Sequence, residues 1–181
     1  GAAGKSASEI ALALDRLGAS ADFGSTSDYM EGGVVALGPR FADAWRIFAE
    51  ALTRPTFPDD QVEKERQITL SEIAAVEDHI ADATSRELNR RLYGPHPYAR
   101  LVLGESSTVE SLTREDLAAY HRRVCIPRNA VLAVVGPIRR DELQALLDST
   151  LSGWTSTAPA RPQEFGVAIR DFEKDKKVYV L

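Results

Sequence analysis

Cysteine and histidine are both scarce in this chain: 181 residues contain the single cysteine Cys125 and three histidines, His79, His96 and His121. One cysteine excludes an internal disulfide and a thiolate metal cluster. No two histidines stand in HExxH or HxxEH spacing, so no helical histidine pair for zinc is present in the sequence itself. Long apolar runs are lacking as well. None approaches the roughly 18 residues of a membrane span, and the first residues lack the basic-then-apolar order of a secretion signal. Positive charge is in deficit, with 22 Lys and Arg against 27 Asp and Glu for a net charge of −5. That balance gives no basic surface to neutralise a phosphate backbone, so no nucleic acid is expected as a partner. What is present is a globular mixture, 44% hydrophobic and 27% charged. The length suits one domain, or one domain and the beginning of another.

Local signals divide the chain. Ser6-Ala7-Ser8-Glu9 has capping-box spacing, and Ile10, Leu14 and Leu17 follow at helical intervals, which predicts a helix over 7–17 closed by Gly18. The texture from Ala19 to Leu37 predicts two adjacent strands around the turn-prone Ser25-Thr26-Ser27-Asp28. Pro39 opens an amphipathic helix whose stripe is Phe41, Trp45, Phe48 and Leu52, stopped by Pro55. Between Asp59 and Tyr93 there is neither proline nor glycine, which predicts one long helix or two joined by a bend near His79. Thr113 opens another helix that ends before Pro127, and a last one is expected over 140–151. The apolar run Ala130 to Val135 reads as a buried strand. Beyond Trp154 a stretch rich in Pro, Ser and Thr reads as a linker, and Lys176 to Leu181 as a strand at the chain end.

The long helix holds the sharpest chemical signal. Glu65, Glu72 and His79 are spaced by seven, and seven steps of 100° return to within about 20° of the start, so all three share one stripe. Such a stripe can hold a metal or exchange protons; acids at heptad spacing also form an ordinary solvated face. His96, between Pro95 and Pro97, is read as a structural cap of a rigid loop. His121 stands beside Arg122 and Arg123, which suggests surface, and Cys125 reads as a small buried apolar residue. The serines sit in no recognisable nucleophile motif, and Gly32-Gly33 lacks the further glycine and helix of a phosphate cradle.

Taken in order, several stretches resemble the first domain of the pitrilysin, insulinase and mitochondrial processing peptidase family. They are Gly4 to Ile10, Leu17-Gly18-Ala19, Arg54-Pro55-Thr56-Phe57, Glu65-Arg66 with Ser71-Glu72-Ile73, His96-Pro97-Tyr98, Leu112 to Leu117, and Pro127-Arg128-Asn129 running into Val134-Val135-Gly136. The resemblance covers nearly the whole chain. It implies an α+β fold with a mostly antiparallel sheet and helices packed on one face. It also implies zinc peptidase chemistry of the inverted HxxEH type, in which two histidines and a distant glutamate hold zinc and the motif glutamate activates water. Glu72 matches the distant metal ligand. Glu65 matches a second acidic residue that supports the site, and is this chain's candidate catalytic residue.

The HxxEH segment is expected to precede Gly1, and neither His79 nor His96 replaces it, so the chain by itself is expected to be inactive. Family members carry an Asn-Ala-Tyr-Thr-like run on the strand that pairs with extended substrate. Here the corresponding residues are Asp22, Phe23 and Gly24, followed by Ser25, closer to non-catalytic paralogues, though pairing through main-chain groups would still serve. The resemblance therefore leaves two roles: part of a zinc endopeptidase acting on peptides or unfolded polypeptides, or a non-catalytic homologue that pairs with an active partner and helps enclose the peptide. Either implies a second homologous domain or subunit. The expected organisation is a truncated peptidase-like domain over 1–154, a linker over 155–165, and the start of a further domain or a terminal strand over 166–181. A soluble protein of cytoplasm or periplasm is expected.

Overall fold

A computed structural model describes residues 1–156; the expected linker beyond its first two residues and the segment 166–181 lie outside the described residues. The chain divides into two compact units, the first built from 1–25, 30–62 and the stretch from Thr113 onward, the second from 26–29 and 63–112.

In the first unit α1 (Ala7–Arg16) begins at the predicted capping box. Ser6 Oγ accepts from Glu9 N at 3.2 Å, and the Glu9 carboxylate accepts from Ser6 N at 2.8 Å. The bond from Ser6 N foremost, and then one from the Ser6 hydroxyl, which donates to the same carboxylate at 2.8 Å, hold the Glu9 carboxyl below the usual range. Strands β1 (Ser20–Ser25) and β2 (Met30–Val35) pair antiparallel with Ala21 opposite Val34 and Phe23 opposite Gly32. A single turn of 3-10 helix, Gly38–Arg40, leads into α2 (Phe41–Thr53). The apolar stripe of α2 is the hub of this unit. Trp45, Phe48 and Ala49 meet Leu146 of α7 (Arg140–Leu151), while Ala44 meets Leu14 of α1 and Ala19. Ala21 and Val34 pack against both groups, which seats α2 on one face of the hairpin. The α+β class with helices packed on one face of an antiparallel sheet is thus observed.

Trp45 is only 3% exposed, and its indole N–H donates to Thr150 Oγ1 at 2.8 Å. Replacing Thr150 with valine keeps the shape and leaves that donor without its partner. We expect a loss of about 1–3 kcal/mol, read from urea unfolding followed by tryptophan fluorescence; an unchanged midpoint would mean that water takes over the bond.

Helix α6 (Arg114–Val124) begins at a second capping box, Thr113 with Asp116. Arg114 donates through Nε to Phe57 O at 2.8 Å and through Nη2 to Thr56 O at 3.2 Å. His121 corrects the surface reading: its ring is half-buried, with Nε2 2.8 Å from Leu52 O and the Phe57 ring edge-on. Cys125, expected to be buried, is half-buried, and that burial pushes its thiol pKa up.

The reading of 130–135 as a buried strand is also corrected. The segment has no regular secondary structure and pairs with no strand among the described residues, and Val131 and Val135 are 98% and 99% exposed. An apolar run reports a preference for cover; it does not supply the cover.

The second unit holds most of α3 (Asp59–Asp78), then α4 (Ile80–Tyr93) and the short α5 (Ser106–Ser111). The two long helices meet at His79, whose extended backbone (φ −95°, ψ 111°) makes the predicted bend. Arg86 of α4 bridges Glu77 of α3 at 2.8 Å and Glu105 before α5. His96 caps the following turn, its Nδ1 accepting from Tyr98 N at 3.3 Å.

Candidate metal-ligand helix

Glu65 and Glu72 share one stripe of α3, both exposed, and neither makes a hydrogen bond or ion pair among the described residues. Their Cα positions are separated by about 10.5 Å of helical rise, so they stand one above the other rather than side by side as a chelating pair. His79 ends the stripe at the bend, where its Nδ1 lies 2.9 Å from Asp82 Oδ2, a local i,i+3 contact.

The reason α3 presents its acids outward lies in the residues that follow each of them. Arg66 comes after Glu65, and Ile73, 1% exposed, after Glu72. These two are themselves a heptad apart and lie on the inward side with Thr69 and Leu70, about 100° around the helix from the acids.

Arg66 belongs to the stretches that carry the family resemblance, yet the sequence assigns it no role; no local pattern reveals that a guanidinium meets backbone carbonyls more than forty residues away. Its side chain is 16% exposed. Nη1 donates to Val109 O and, at 3.2 Å, to Glu110 O; Nη2 donates to Leu112 O at 2.7 Å. Nε pairs with Glu63 at 3.0 Å. The guanidinium thereby satisfies carbonyls at the C-terminal end of α5, where a cation is favoured by the helix dipole.

The residues expected to line substrate lie in the first unit, on β1. Phe23 turns onto α2, its ring stacked on Phe48 at 5.1 Å between centroids and 5° between planes. Gly32 makes room for this: a Cβ there would come within 2.7 Å of the Phe23 ring and 3.3 Å of Phe48. Strand alternation then puts Asp22 and Gly24 on the opposite face, both exposed. The hairpin is two-stranded, so each strand keeps one edge without a strand partner among the described residues.

The donor set answers how far these residues fit zinc. Glu72 is an accessible carboxylate of the right chemistry for one bond. Among the described residues, however, no three His, Cys, Asp or Glu side chains converge as a metal site. The described residues fit zinc as the source of one carboxylate donor. No helix among the described residues is long and apolar enough to cross a membrane.

Comparison with known proteins identifies the family. The sequence model described as "Insulinase (Peptidase family M16)" matches residues 1–106, and that described as "Peptidase M16 inactive domain" matches 111–180. An uncharacterized zinc protease of Mycobacterium tuberculosis is 31% identical over 143 residues, covering 79% of this chain and 33% of that protein. A probable mitochondrial-processing peptidase subunit beta of Schizosaccharomyces pombe is 31% identical over 106 residues, or 59% of this chain and 23% of the relative. The crystal structure of a peptidase M16 inactive domain from Pseudomonas fluorescens superposes with a TM-score of 0.83 at 29% identity, over 90% of this chain and 40% of that one. The chain spans about a third of the length of the mycobacterial relative. With the outward acids of α3, the α2-centred core and a family match over residues 1–106, the chain belongs to the insulinase family of peptidases, family M16.

Proposed function

We propose that this chain is part of a zinc-dependent endopeptidase that hydrolyses peptides or unfolded polypeptides, and that it contributes Glu72 as the third protein ligand of the metal. The observation that carries this reading is the outward carboxylate of Glu72, unpaired among the described residues, on a helix held by Arg66 and Ile73. Two histidines of an HxxEH segment outside this sequence complete the ligand set, and Glu65, two turns away on the same stripe, supports the site. Zinc, when bound by three protein ligands, supplies an open position at which water loses a proton near neutral pH. The chain's own part is to hold one carboxylate in place and to offer strand β1, with Asp22, Phe23 and Gly24, as an edge for extended substrate. A second homologous domain or subunit encloses the peptide.

The test compares the full-length polypeptide with the isolated 181 residues. Metal analysis after gel filtration should find about one zinc in the full-length protein and far less in the isolated chain, which should not cleave an unfolded polypeptide. Zinc-dependent turnover by the isolated chain would place the site elsewhere. A second reading, a non-catalytic homologue paired with an active peptidase, draws support from the inactive-domain match over 111–180 and from the Asp22-Phe23-Gly24 run. It predicts a metal-free full-length protein and no paired histidines in the residues encoded before Gly1.

A further inference from the structure

We infer that Arg66 sets the roll of α3, and with it the direction in which the Glu65 and Glu72 carboxylates face. It is a positioning residue for the site, and the inference rests on the reading of Glu72 given above. A helix with one nearly solvent-free side chain, Ile73, has a hydrophobic anchor that fixes its depth but restrains rotation about its own axis weakly. The directional restraint comes from Arg66. Three carbonyls at the end of α5 accept from one planar guanidinium, and such bonds weaken steeply when misaligned.

Glu65 precedes this anchor by one residue and Glu72 precedes Ile73 by one. Any rotation that relaxes the Arg66 bonds therefore turns both acids by the same angle. The short α5 gains from the same tie, because its last carbonyls would otherwise lack protein partners.

The experiment uses the full-length polypeptide and zinc alone as the probe. Arg66→Met keeps the aliphatic stem and removes the donors, and Arg66→Lys keeps the charge with poorer geometry. Glu72→Gln tests the ligand itself, and Thr150→Val serves as a destabilised control remote in sequence from α3. Zinc affinity is measured by chelator competition well below the unfolding temperature, with amide exchange of α5 as a second readout. We expect Arg66→Met to weaken zinc binding by about tenfold and to speed exchange in α5, with Arg66→Lys intermediate and Thr150→Val unchanged.

If Glu72→Gln loses zinc while both Arg66 variants keep wild-type affinity despite faster exchange in α5, the positioning role is overturned and the ligand reading stands. If Glu72→Gln also keeps wild-type affinity, the ligand reading fails and the inference falls with it. Loss of affinity in Thr150→Val equal to that in Arg66→Met would reduce the effect to general stability and overturn the inference. Should Arg66→Met not fold, the Arg66→Lys affinity decides by the same criteria.

Discussion

Replacing Glu72 with glutamine in the full-length polypeptide should lower zinc affinity by more than about 100-fold. Peptide cleavage at limiting zinc should fall with it, because removal of a direct ligand exceeds the 10- to 100-fold cost of losing an outer partner. The substitution is nearly isosteric and lies on the exposed face of α3, where no hydrogen bond or ion pair among the described residues is broken. The fold should therefore be untouched, and the unfolding temperature of the metal-free protein should match wild type. This separation makes the result informative: metal loss without a stability change identifies a ligand, whereas unchanged metal content and rate would reject the assignment. Glu65→Gln should act more mildly, since its carboxylate lies two helical turns from Glu72 and is proposed to support the site without holding the ion.

The largest stability effect is expected at Phe48. Its ring is buried, stacks on Phe23 and lies 5.7 Å from the Trp45 ring, so truncation to alanine removes a core volume and two aromatic contacts at once. Equilibrium unfolding should show a loss of about 3–5 kcal/mol. Relaxation is limited because the Phe23 ring lies over Gly32, where no side chain is available to fill the space. A cost below about 1 kcal/mol would mean that α2 and the hairpin close up around the cavity. Phe23 would also lose its support, so hydrogen exchange in β1 should rise in the variant.

Elements whose determinants are local are legible in the amino-acid sequence. The capping boxes at Ser6 and Thr113, the Phe41–Trp45–Phe48–Leu52 stripe and the bend near His79 each depend on residues within a few turns, and each is present in the fold. Helix α5 carries no such signal. Apart from Glu110, its residues Ser106-Ser107-Thr108-Val109-Glu110-Ser111 are weak helix formers, and its end is completed by a guanidinium from α3. The burial expected for 130–135 fails for a related reason, since apolarity is local and cover is not. The surface expected for His121 fails because neighbouring arginines say nothing about the Leu52 carbonyl that meets its ring.

At the candidate site, spacing reveals that Glu65 and Glu72 share a stripe, and the family resemblance suggests the roles proposed for them. Neither discloses what turns that stripe outward. The heptad registers acids against one another, while the orientation depends on tertiary partners of the adjacent positions Arg66 and Ile73.

The tie between Arg66 and the end of α5 joins a cation that stays protonated throughout the working pH range to peptide oxygens that carry no titratable proton. The Glu63 carboxylate that pairs with Arg66 Nε, held below the usual range by bonds from Gln67 and Arg66, is the one part of the tie that acid can remove. The carbonyl bonds outlast that ion pair, so amide exchange in α5 should stay slow as acidification strips Glu63 of its charge.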